Sequence, residues 1–176
     1  MLFRSLVGLM EETLFRGALF GVLRRGLGVL PGAVVCSLIF SLVHFARPKM
    51  AAGVVHGGAL SGFRVLPLVL HALIENGARL FPFALTLFAM GLALCLFYQS
   101  RGRLYFCIGL HAGWVWAIRA GGLVLQRDPA RWPGLLGRSD LVAESWLALF
   151  ITAVFLAAAL LEWNRTLGNE IGRAHV

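Results

Sequence analysis

Apolar residues in this chain run in blocks too long and too continuous for the alternation of a strand or the one-sided stripe of a surface helix. Residues 26–46 and 80–100 contain no Asp, Glu, Lys or Arg, and 145–161 is a further uncharged block. A helix crossing the hydrocarbon core needs about 20 such residues, so all three predict spanning helices. Two more apolar blocks, 2–23 and 104–118, carry ionisable residues inside them. The first helix is predicted to end at the basic turn Arg24-Arg25-Gly26, and the second to start near Pro31, which suits a first helical turn. That second helix should stop before Arg47-Pro48-Lys49, because proline disfavours helix in the residue preceding it. Residues 50–62 are glycine-rich, and 67–79 (PLVLHALIENGAR) shows helical spacing but is too short to cross, as in an interfacial or re-entrant helix. Residues 127–140, with Pro129, Pro133, Gly134 and Gly137, read as an exposed connection flanked by the interfacial anchors Trp132 and Trp146. The fold class expected is all-α: a polytopic transmembrane bundle of about five spanning helices plus one interfacial helix, forming a single membrane domain over 1–170.

Composition agrees with lipid as the solvent. Hydrophobic residues make up 59% of the 176 and charged residues 14%, too little polar surface to cover a water-soluble globule. A net charge of +8 raises the question of nucleic acid, but the arginines are scattered between apolar blocks and form no stripe with interleaved aromatics. They read as loop charges at a membrane surface, and no nucleic-acid partner is expected. Cys36, Cys95 and Cys107 lie inside apolar blocks without ligand-like spacing, as small buried hydrophobes do. Residues 171–176 (IGRAHV) match the translation of a sequencing adapter and are set aside from fold reasoning, with His175 among them.

The first block holds the charges that matter. A charge deep in a membrane costs about 2.5 to 3.5 kcal/mol on insertion scales, so Glu11, Glu12 and Arg16 all need partners. Glu12 and Arg16 are four apart and predict an ion pair on one helix face. Glu11 points about a quarter turn away and lacks a local partner, the position of a base. The plainer alternative is an interfacial helix with a surface salt bridge, but Leu9, Met10, Leu14 and Phe15 make the surroundings apolar on all sides. His44 closes the second helix one turn after Phe40, and His111 sits within CIGLHAGWVW. Alone, each would be a polar bond to a neighbouring helix. Together with Glu11 they bring one ionisable group from each of three helices, and peptide hydrolysis needs a base for water and a donor for the developing oxyanion. His71 and Glu75, beside Asn76, imitate a metal-ligand pair but read as a solvated helix face.

In order along the chain, Glu11-Glu12-x-x-x-Arg16, Phe40-x-x-x-His44 and His111 resemble the EExxxR, FxxxH and HxxxN motifs of the CAAX protease and bacteriocin-processing (CPBP, Abi-type) intramembrane endopeptidases, over residues 7–116. The resemblance implies that Glu11 activates water, His44 is its partner, His111 donates to the oxyanion, and Glu12 with Arg16 is a supporting ion pair. It implies an endopeptidase cutting membrane-associated peptides or proteins near the bilayer boundary, with no cofactor. A zinc version would use Glu11, His44 and His111 as ligands. Where the family places Asn, this chain has Val115, which has no side-chain donor. The oxyanion would then be held by His111 with another group, such as the indole of Trp114 or Trp116. Val115 also supports the alternative of a non-hydrolytic membrane scaffold or bacteriocin-immunity protein. A third alternative is a proton-coupled transporter with Glu and His in a relay. The family has further helices before EExxxR, so this chain reads as an N-terminally truncated piece.

With five spans, one side of the membrane holds Arg24, Arg25, Arg101, Arg103 and Arg165. The other holds Arg47, Lys49, Arg64, Arg79, Arg119, Arg127, Arg131 and Arg138. The larger count marks the cytoplasmic side of a bacterial inner membrane. Glu11 and His111 then lie ~13 and ~12 Å from that side at 1.5 Å per residue, so the site should open toward the cytoplasm.

Overall fold

A chain surrounded by lipid must satisfy its own backbone N–H and C=O groups, and the apolar blocks accordingly become helices. The computed structural model describes residues 2–45, 67, 71, 77–124 and 146–174. Among them, five helical rods follow one another. The first is unbroken but not uniform: α1 (Leu2–Glu12) passes into a π-helical segment (Thr13–Leu19) and then into α2 (Phe20–Leu27). The others are α3 (Val29–Phe45), α4 (Gly77–Arg101), α5 (Leu104–Val124) and α6 (Trp146–Ala174). Phe81–Arg101 and Trp146–Asn169 are long and apolar enough to cross a bilayer, and Val29–His44 and Leu104–Ile118 are shorter apolar helices. The first rod has the length but carries Arg4, Glu11, Glu12, Arg16, Arg24 and Arg25. Two rods therefore meet both criteria where about five spans are expected from the sequence.

Two boundaries differ from the sequence reading. The first turn lies at Gly28, not at Arg24-Arg25-Gly26: both arginines stay helical, as good helix formers do, and Gly28 takes φ 89°, which its missing Cβ permits. Its N–H bonds to the Arg24 carbonyl at 3.1 Å, closing α2. Likewise Arg79 does not end a separate helix, because Gly77–Arg79 open α4 and Pro82 lies within its early turns. A proline so near the start removes one early hydrogen bond and leaves the rest of the helix intact. Pro67 and His71 are helical and exposed, and the remainder of 67–76 lies outside the described residues, as do 46–66 and 125–145.

α4 is the central rod, packed against α3, α5, α6 and the π segment. Between α4, α5 and α6 lies a purely apolar core of Met90, Leu94, Phe97, Cys107 and Ala159 with their neighbours. Between the π segment, α3 and α4 lies a second core, which includes Phe15, Phe20, Cys36, Phe40 and Cys95. Gly91 lets α4 approach α3 closely, since a Cβ there would stand 3.1 Å from the Ser37 Cα. At one end of the bundle Arg24 Nη1 donates to Gln99 Oε1 at 2.8 Å, and Arg101 pairs with Glu162 at 3.0 Å, tying α2, α4 and α6 together.

Candidate active site

The second core has a polar edge, built where the first rod changes its winding. In the π segment the Phe20 N–H reaches back five residues to the Phe15 carbonyl. The wider turn leaves that carbonyl able to accept from Cys36 Sγ at 3.3 Å as well. Such single π turns inside α-helices occur frequently at functional sites. Here the segment begins directly after Glu11 and Glu12 and contains Arg16.

Glu12 and Arg16 are both fully buried, and Arg16 Nη1 donates to Glu12 Oε1 at 2.9 Å, the ion pair expected from their spacing. The same carboxylate oxygen accepts from His111 Nδ1 at 2.7 Å, across from α5. His111 turns its other nitrogen, Nε2, toward Glu11, with 3.7 Å to Oε2. Glu11 keeps 29% of its side chain exposed, so of the two adjacent glutamates one is sealed and one is accessible. His44 donates from Nδ1 to the Phe40 carbonyl at 2.8 Å, leaving its Nε2 for another group. It lies within electrostatic reach of Glu11, Arg16 and His111.

Phe40 is the hub of this arrangement. Its ring centroid lies 4.4 Å from that of His44, 5.1 Å from Phe15 and 6.1 Å from His111. The Arg16 guanidinium stands 4.5 Å from the same centroid, a cation held over an aromatic face. The F-x-x-x-H spacing thus has a physical content: the phenylalanine supplies both the carbonyl that fixes the histidine and the surface that the cluster packs on.

All of the sequence-predicted site residues therefore lie in one neighbourhood: Glu11, Glu12, Arg16 and His111 in direct contact, and His44 joined through Phe40. The sequence reading missed the bond from Glu12 to His111, whose residues are 99 apart. It also missed the π segment, for which the string TLFRGAL carries no single-sequence signal. Glu12 Oε2 and Arg16 Nε and Nη2 are buried with no hydrogen-bond partner among the described residues. Val115 is 37% exposed on α5. Of the indoles named as substitute donors, Trp114 packs edge-on against Phe155 of α6 at 6.0 Å, and Trp116 is 69% exposed. Among the described residues no three His, Cys, Asp or Glu side chains are placed to share one metal ion. Of the His71–Glu75–Asn76 group only His71 is described.

Comparison with known proteins brings in one family. The type II CAAX prenyl endopeptidase Rce1-like family model matches residues 1–117, a stretch that takes in all the motif residues and Val115. No curated protein and no solved structure matches the chain. Its apolar helices and the family together describe an integral membrane protein from a family of proteases. The chain belongs to the type II CAAX prenyl endopeptidase Rce1-like family.

Proposed function

We propose that this protein is an intramembrane endopeptidase that hydrolyses a peptide bond near the membrane boundary with a glutamate-activated water. The observation that carries this reading is the pairing of an accessible carboxylate, Glu11, with the inward-held imidazole of His111, 3.7 Å apart at the edge of an otherwise apolar core. Glu11 takes a proton from water as its oxygen attacks the peptide carbonyl carbon, with His44 as its partner. His111 donates Nδ1–H to Glu12 and Nε2–H to the oxyanion. Glu11 then returns its proton to the leaving amine as the C–N bond breaks, so each proton taken up is released. No step in this scheme uses a metal. Cleavage is expected to survive strong chelation; a zinc-dependent form would use Glu11, His44 and His111, which are not placed to share one ion.

The test is cleavage of membrane peptides, prenylated and unprenylated, by protein reconstituted in bilayers. Wild type is expected to cut and Glu11→Ala to be inactive with its fold retained. Equal cleavage by both would overturn the reading. The second reading, a non-hydrolytic scaffold or immunity protein, draws on Val115 at the family's Asn position and expects cleavage from neither.

We place the protein in a bacterial inner membrane with the site open to the cytoplasm. Support comes from the count of five basic residues against eight on the two sides. The contacts Arg24–Gln99 and Arg101–Glu162 gather members of the smaller set at one end. Cysteine labelling at Ser61 and Ser139, in segments outside the described residues, reads the orientation. Modification of both only from outside intact cells would reverse it.

A further inference from the structure

We infer that Glu12 is the positioning residue for His111: it holds the ring as an Nδ1–H donor and thereby aims Nε2 at Glu11, while Arg16 holds Glu12 in turn. The inference rests on the reading of Glu11 and His111 as reacting groups, and it gives the two adjacent glutamates different work.

A carboxylate only accepts, so the 2.7 Å contact fixes a proton on Nδ1, and its length is that of a charge-assisted bond. Once Nδ1 is engaged, Nε2 is the ring nitrogen left for chemistry, and it is the one that faces Glu11. Arg16 Nη1 binds the same oxygen at 2.9 Å, which stops Glu12 from rotating away. Glu12 is sealed at 0% exposure and its Oε1 already carries two hydrogen bonds, so it is a poor candidate for handling water. Glu11, at 29%, is not so confined. The lateral contact of Phe40 with both the His111 ring and the Arg16 guanidinium closes the third side of the arrangement.

The experiment uses full-length protein labelled with 15N-histidine in bilayers, with the His111 signals assigned by their loss in His111→Gln. Wild type is expected to show His111 protonated at Nδ1. The double variant Glu12→Leu/Arg16→Leu removes both charges together and so leaves no orphan. Its His111 should move to the Nε2–H form that free imidazole prefers. In the cleavage assay its kcat should fall about 10²- to 10⁴-fold with KM unchanged, the scale on which losing an orienting carboxylate acts. Glu12→Gln keeps an acceptor oxygen and should retain Nδ1–H with part of kcat. If the double variant does not fold, Glu12→Asp, which draws the carboxylate back by one methylene, is expected to show the same loss of the Nδ1 proton. A wild-type His111 protonated at Nε2 alone, or an Nδ1 proton retained in whichever of these two variants folds, would overturn the inference. Loss of the Nδ1 proton in the variant of a protein that cuts no peptide would uphold the positioning and sink the protease reading.

Discussion

Two glutamate–arginine pairs of nearly equal length sit in different parts of this molecule. Glu12–Arg16 spans 2.9 Å with both side chains at 0% exposure, while Glu162–Arg101 spans 3.0 Å with the side chains 30% and 47% exposed. The Coulomb attraction at such a distance is set by the surroundings, not by the length. At the exposed end, water and ions compete for both partners, and such pairs contribute about 0.2 to 1 kcal/mol. In the interior the attraction is stronger, but so is the cost of removing both charges from water, and apolar residues of similar volume would often pack as stably. What the buried pair has and the exposed one lacks is a third member, His111, on the same carboxylate oxygen. On this comparison the buried pair serves geometry more than net stability.

Breaking one partner gives the largest expected effect. Arg16→Ala should cost about 3 to 5 kcal/mol, because it leaves Glu12 as an unpaired buried charge. Unfolding in detergent, followed by circular dichroism, measures it. Removing both charges in Glu12→Leu/Arg16→Leu should recover most of that loss. A double variant no more stable than Arg16→Ala would mean that the pair contributes net stability, and the contrast with the exposed pair would fail.

Next comes the apolar half of the bundle. Leu94 is 1% exposed between α4, α5 and α6, and Leu94→Ala should cost about 2 to 5 kcal/mol through lost burial and a residual cavity. Cleavage per folded molecule should stay at the wild-type level, since no member of the polar cluster belongs to that core. A selective loss of rate at temperatures where the variant is fully folded would show that the two halves are coupled.

How far the sequence led follows the same division. The apolar blocks gave the helices, because lipid leaves the backbone few other options, and block 80–100 became the core of Gly77–Arg101. Glu12–Arg16 was legible because four-residue spacing is a local rule. The ordered motifs brought Glu11, His44 and His111 into one neighbourhood, but not the partner of each ring nitrogen. Glu12 serves both Arg16 and His111 through one oxygen, a choice made by the packing of α5 against α1 and invisible in either segment alone. The turn at Gly28 was missed for a local reason: Arg24 and Arg25 look like a surface loop, yet Arg24 stays helical and half-buried against Gln99, Phe20 and Tyr98.

A smaller effect is expected at Val115, and in the opposite direction. Val115→Asn places a side-chain amide one turn beyond His111, where the family's pattern has one. The gain in cleavage should be roughly tenfold, less than the about 10²- to 10³-fold that a donor in native geometry supplies. The measurement is kcat on the best peptide found for wild type. No gain would mean that the oxyanion is already held by other groups or that the site does not hydrolyse.

The smallest effect belongs to the exposed pair, and it is the control for the whole comparison. Glu162→Gln removes one charge from the end of the bundle but leaves an oxygen that Arg101 can still bond. Arg101 also keeps its place over the Phe106 ring, 5.1 Å from the centroid, so the guanidinium retains a second attachment. Neither Arg101 nor Glu162 touches the cluster around Glu12. The expected loss is therefore about 0.2 to 1 kcal/mol, shrinking as salt is raised, because exposed charges are screened within about 10 Å at 0.1 M ionic strength. Unfolding midpoints at low and high salt test this, with cleavage expected to match wild type. A loss as large as that of Arg16→Ala, insensitive to salt, would show that exposure does not separate the two pairs.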